Sequence, residues 1–283
     1  MNRPRRHHFV PRFYLDGFCA GNSRTLAVYD RVRNMYRAQR PAEVAHRRDY
    51  YAYEDEHGEL IFDIEEALGE VEAATSGAIA KVDNDEDLAA DDKTSLATYA
   101  SFQFTRTPAY AEWIAAFRAH WAQDVRPQAG ELLPEAVDPA AGREEAIGAM
   151  LRHAPRFAEV FLQLNWTFWR CESDRTSFVT TDSPVSVVWT NRREANAYVG
   201  AGILSTDVVT VLPLSQSSGL AMSGLGGRVD RRQLTRDEVR RVNLAVASQS
   251  QHFVFGRDMT LVENLVRTTG IDERPWQVPL QVG

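Results

Sequence analysis

Two imidazoles stand side by side at His7-His8, ahead of Phe9-Val10-Pro11, in a stretch that also carries Arg3, Arg5, Arg6 and Arg12. Neighbouring histidines can divide labour, one ligating a divalent metal ion while the other takes a proton as general base. Either ring could take either task, and Arg12 is placed to receive an anionic substrate. The competing reading is a solvated basic segment in which the pair has no chemical task. His46, His57, His120 and His153 have no partner at metal-ligand spacing and are expected to be surface or structural residues.

Polar residues on otherwise apolar helix faces form a second group. Wound at about 100° per residue, Glu72 falls about 20° from Ile61, inside the apolar stripe. Gln103, Arg106 and Asn243 sit on or near comparable stripes. An unpaired buried charge is costly, so these side chains must find partners, and Glu72 with Arg106 is the natural pair. Two readings stand: an internal salt bridge, or the floor of a polar cavity. In the second, Arg106 and Gln103 act on the substrate, Asn243 orients it and Glu72 contributes to the metal. A third signal is Thr181-Asp182-Ser183-Pro184, where a strand-end carboxylate either enters a cleft as a further metal ligand or closes an Asx turn. No phosphate-binding P-loop, dinucleotide fingerprint, Gly-x-Ser-x-Gly elbow or His-Glu-x-x-His helix occurs, which disfavours the enzyme classes built on them.

The positioning elements follow from periodicity. A short helix is predicted over 12–18 and strands over 25–30 and 49–53. Ile61, Ile64, Leu68, Val71, Ile79 and Val82 define a helix over 61–82. A second, from about 92 to 121, is expected to kink at Pro108. Prolines and glycines mark 123–143 as a mobile loop, and a third helix spans 144–163. Short strands follow at 166–170, 178–181, 185–189, 208–212 and 219–222. Thr235-Arg236-Asp237-Glu238 is a capping box opening another helix, and a strand at 252–255 comes after it. Without an internal repeat or a clear linker, 1–283 reads as a single α+β domain, a mostly antiparallel sheet packed with several long helices.

Composition narrows the rest. The 283 residues are 44% hydrophobic and 25% charged, ordinary for a globular protein. No apolar run is long enough to cross a bilayer, and a cytoplasmic location is expected. Only Cys19 and Cys171 are present, too few for a cysteine-rich zinc site. Of the net charge of −7, residues 1–50 carry about +7, leaving about −14 for the remainder. That basic segment could attract a polyanion or dock on the acidic body of its own chain.

His7-His8-Phe9-Val10-Pro11-Arg12-Phe13-Tyr14-Leu15, the helix with Glu72, Gln103-Phe104-Thr105-Arg106-Thr107-Pro108, Thr181-Asp182-Ser183-Pro184 and Asn243, in that order, resemble the bacterial domain of unknown function DUF4238. The resemblance runs over nearly the whole chain and implies one domain without a settled activity. The His-His-x-x-Pro opening also resembles HNH nucleases, with Asn22 as a middle asparagine and Asp30 or Asn34 as substitutes for a third ligand. That shorter resemblance implies a water deprotonated by His8 and a divalent ion on His7. The reading with most chemistry behind it is a metal-dependent phosphodiesterase or nuclease of toxin or defence type. Nucleic acid or another phosphate- or carboxylate-bearing compound would be its substrate, and a divalent metal ion its cofactor, held by His7, Glu72 and Asp182. Its rivals are an enzyme clamping a carboxylate-bearing small molecule or peptide with Arg106, and a non-catalytic binding domain.

Overall fold

The expected α+β class is the class the chain adopts, with its strands divided between two larger sheets. The computed structural model describes residues 5–21, 24–54, 57, 60–120, 142–190 and 203–271. Most of the predicted loop at 123–143, and Asn22, lie outside the described residues.

The first segment runs β1 (Arg6–His8), α1 (Arg12–Asp16), β2 (Leu26–Asp30), β3 (Met35–Gln39), β4 (His46–Arg48), β5 (Tyr53–Glu54) and β6 (Leu60–Ile61). A helical layer follows: α2 (Asp63–Asp83), α3 (Ala90–Thr105), α4 (Pro108–His120) and α5 (Gly142–Gln163). The last part holds β7 (Leu164–Cys171), β8 (Thr180–Thr181), β9 (Ser186–Trp189), β10 (Val208–Pro213), β11 (Ser218–Leu225), β12 (Val229–Leu234), α6 (Arg236–Ser248), β13 (Phe253–Gly256) and α7 (Met259–Thr269). One sheet has the order β12-β7-β11-β10-β9, antiparallel except for the β7–β12 pair. The other has the order β3-β2-β13-β8 and is antiparallel throughout. Two ribbons, β1-β4 and β5-β6, complete the pairing.

Local sequence explains the boundaries. Asp63, Glu65 and Glu66 open α2 and Lys81 closes it, each charge opposing the helix dipole at its end. The predicted long helix from 92 to 121 is instead two. Arg106 caps α3, and Pro108, which has no N–H to offer, starts α4 rather than kinking a continuous rod. The capping box at α6 is present, with the Glu238 N–H donating to Thr235 Oγ1 and the Thr235 N–H returning to Glu238 Oε2 at 2.9 Å. The strand expected at 49–53 is confined to Tyr53–Glu54, because Tyr50 and Tyr51 lie in a turn that delivers their rings to the core. One large core gathers Tyr14 and Phe18 of the N-terminal segment, Leu96 and Tyr99 of α3, Phe161 of α5 and Trp166 of β7. A second packs β2 and β13 against Val246 of α6 and Val262, Leu265 and Val266 of α7.

Candidate functional site

Arg106 is the hub of the polar set. Its side chain is 1% exposed at the end of α3 and touches three parts of the chain. Nη1 donates to Glu72 Oε1 of α2 at 2.9 Å, and Nε donates to the Phe9 carbonyl at 3.1 Å. With the Gln103 amide oxygen facing the guanidinium, that oxygen accepts from Nε at 2.5 Å and from Nη2 at 2.7 Å. The Arg106 carbonyl accepts from the Tyr51 hydroxyl at 3.4 Å. The sequence pairing of Glu72 with Arg106 is therefore present as an ion pair. A cavity of about 10 Å³ beside Tyr51, Arg106 and Met150 has room for roughly one water. The Tyr99 hydroxyl, buried near the same charges, has no hydrogen-bond partner among the described residues.

The strand period separates the two histidines. His7 is fully buried, stacks on Tyr51 and accepts the Tyr51 N–H at Nδ1 (3.0 Å), with Phe62 edge-on to its ring. His8 faces the other side of the ribbon, opposite its register partner His46, with ring centroids 5.4 Å apart. Burial, followed by the charges of His46 and Arg12, lowers the His8 pKa to about 4, so the ring is neutral at physiological pH. Glu65 is displaced the other way. Burial, with Glu72 nearby, raises its pKa to about 7 against the opposing pull of Arg106. Arg12 is exposed at the first position of α1, within electrostatic range of His8.

The remaining predicted site residues are engaged elsewhere. Asp182 is 1% exposed, and its carboxylate accepts three consecutive backbone N–H groups: Gln251 (3.1 Å) and Phe253 (3.3 Å) at Oδ1, and His252 (2.9 Å) at Oδ2. Neither of the two sequence readings of Asp182 describes this cross-chain clamp. Asn243, expected to orient substrate, is buried on α6 and has both amide ends filled by backbone. Nδ2 donates to the Ser177 carbonyl at 2.8 Å and Oδ1 accepts from the Val179 N–H at 3.0 Å. The His7, Glu72 and Asp182 side chains assigned to a metal are not brought together, each being committed as described. Among the described residues, no group of three or more His, Cys, Asp or Glu side chains could hold a metal ion.

Among the described residues, sequence reasoning missed a cleft with room for a substrate. A cleft of about 330 Å³ opens between the β2–β3 hairpin, the β4 segment, the start of α4 and the residues leading into β13. Its polar lining is Arg33, Arg37, Glu43, His46, Arg47 and His252. Asp30, buried beneath the hairpin, pairs with Arg37 at 2.8 Å and Arg33 at 3.3 Å and holds both guanidinium groups in place. Arg47 lies over the Tyr50 ring at 5.5 Å. Arg37 Nε has no hydrogen-bond partner among the described residues. Phe9 and Phe253 supply apolar wall. One sequence signal could have pointed here: the basic excess of residues 1–50, the segment that supplies every one of these polar groups except His252.

Forked cationic donors lining one cleft can pair chemically with an anion. A search of curated proteins and one of solved structures each gave no match. A family model described as "Protein of unknown function (DUF4238)" matches residues 6–260, spanning β1 to the first turn of α7 and so every residue of the cleft and of the polar set around Arg106, and the chain belongs to that family.

Proposed function

We propose that this protein binds a phosphodiester-bearing ligand, nucleic acid in the first instance, in the cleft between the β2–β3 hairpin and β4, and acts on it as a phosphodiesterase. The observation carrying this reading is the convergence of Arg33, Arg37 and Arg47 on one substrate-sized cavity. Guanidinium groups offer the paired N–H geometry that phosphate oxygens accept. Arg33, Arg37 and Arg47 outnumber Glu43, the one carboxylate of the lining, which favours an anionic ligand. Exposed Arg6, Arg12 and Arg48 extend the basic surface beyond the cleft, as a polymeric anion requires.

Arg106 supports this reading from behind. Its contacts tie Phe9, and with it the β1–β4 ribbon, to α2 and α3, so it is part of the frame that carries His46 and Arg47. A carboxylate-bearing substrate clamped by Arg106 has less support, because that guanidinium is already held by Glu72, Gln103 and a carbonyl.

Titrating a fluorescent single-stranded oligonucleotide at several salt concentrations tests the proposal. Binding should weaken linearly on a log–log salt plot, and Arg33→Ala and Arg47→Ala should each cost about tenfold and reduce the slope by about one. Absence of binding at low salt, or binding indifferent to both substitutions, would overturn it.

A further inference from the structure

We propose that His46 and His252 are the acid–base pair of this cleft and that its substrate is RNA, cleaved by transfer of the phosphodiester to the neighbouring 2′-hydroxyl. The inference rests on the phosphodiester reading above and assigns the residues that touch the reacting atoms.

The two imidazoles enter one cavity from separate parts of the fold, His46 from β4 and His252 from the residue before β13. Both are half-buried, and each is backed by a fixed element. The His46 ring packs edge-on against His8, its register partner across the ribbon. The backbone of His252 is held on both sides: its N–H donates to Asp182 Oδ2, and its carbonyl accepts from the Arg31 N–H at 2.7 Å. Imidazoles are the side chains best suited to take and give protons near neutral pH, and two of them flanking a phosphate can serve both ends of one displacement. The guanidinium groups of the same lining would stabilise the charge on the phosphoryl oxygens as the displacement proceeds.

The surroundings divide the roles. The His46 ring packs on His8, and burial, followed by the charge of Arg6, lowers its pKa, a setting that suits a proton acceptor. His252, the second imidazole of the same lining, is the donor. His46 then takes the proton from the 2′-hydroxyl as that oxygen bonds to phosphorus. The bond from phosphorus to the 5′-oxygen breaks, and His252 gives its proton to the departing oxygen. The products are a 2′,3′-cyclic phosphate and a free 5′-hydroxyl. No electrons are exchanged, and water returns the proton from one ring to the other. DNA lacks the internal nucleophile that this scheme needs, which is why the substrate is RNA.

The test uses a DNA oligonucleotide carrying one ribose and its all-DNA counterpart, in EDTA. Wild-type protein should cut the first strand after the ribose, leave a cyclic phosphate end, and spare the second. His46→Gln and His252→Gln should each slow cleavage by about a hundredfold or more. Equal cleavage of both strands, dependence on a divalent ion, a linear phosphate as first product, or unchanged rates in the two variants would overturn the assignment. Binding of both strands without cleavage would overturn it as well and leave the binding proposal intact, whereas absence of binding would remove both. The end group formed by the wild type decides the matter even if a variant misfolds.

Discussion

At the scale of single residues, two titrating groups beside Arg106 pull stability in opposite directions with pH. Folded His8 stays neutral down to about pH 4, whereas an unfolded histidine takes its proton near 6.5. Its contribution is therefore present above the unfolded value and lost as pH falls from 6.5 towards 4. Folded Glu65 keeps its proton up to about 7, against 4.5 for a free side chain. Its contribution is present at low pH and lost as pH rises through that interval. The two offset each other between about 4.5 and 6.5. Relative to wild type, the thermal midpoint of Glu65→Gln should climb with pH across this range and that of His8→Asn should decline, as followed by circular dichroism. Three parallel curves would refute the assignment. The Glu72–Arg106 pair yields an asymmetric prediction. Glu72→Leu strands a buried guanidinium and should cost about 3 kcal/mol in urea unfolding, and adding Arg106→Met should recover much of that loss. This pair was legible in the sequence because two charges on apolar stripes have few ways to be satisfied. His46 and His252 were not, because neither has a neighbour in sequence that marks it. Only the fold brings them to one cavity.

At the scale of elements, polar side chains that read as site residues turn out to hold segments in register. Asn243 gives the 177–179 stretch the backbone partners that a strand would otherwise supply. Asn243→Leu leaves the Ser177 carbonyl and the Val179 N–H buried without those bonds. It should cost about 2–4 kcal/mol in denaturant unfolding, with the α-helical content retained. A loss within experimental error would show that water or a shifted backbone replaces the amide. Helices were readable where periodicity was long, as in α2 and α5, and where a cap announced a start, as in α6. Strands were less so. β3 has an exposed pattern on an edge, and β12 is polar along most of its length and runs parallel to β7, so neither alternates in the way that betrays a half-buried strand. Pro108 shows a related limit. A proline marks a boundary in a helical pattern, but whether it bends one helix or begins another depends on what packs on each side.

At the scale of the whole molecule, the ends of the described chain are structural members. Phe9 and Val10 are buried, β1 pairs with β4, and Arg106 reaches the Phe9 carbonyl. Removing residues 1–10 should cost about 3–6 kcal/mol from the two apolar side chains alone. The urea midpoint should fall accordingly, and a truncated protein as stable as the full chain would contradict this account. The α+β class was legible from the order of strand-like and helix-like stretches. The division into two larger sheets was not, because it depends on pairings between segments far apart in sequence, such as β2 with β13.

That pairing carries a consequence for synthesis. β13 occupies an interior position between β2 and β8, so the sheet begun by an early hairpin lacks its centre until some of the last described residues leave the ribosome. Throughout translation β2, whose residues are all buried in the finished fold, presents an unpaired edge, the kind of surface that holdase chaperones cover and on which premature self-association starts. Completion of the cleft is thereby coupled to completion of the polypeptide: His252 and its Asp182 anchor come into place only with β13, and a prematurely terminated product ending before residue 250 would lack that part of the lining.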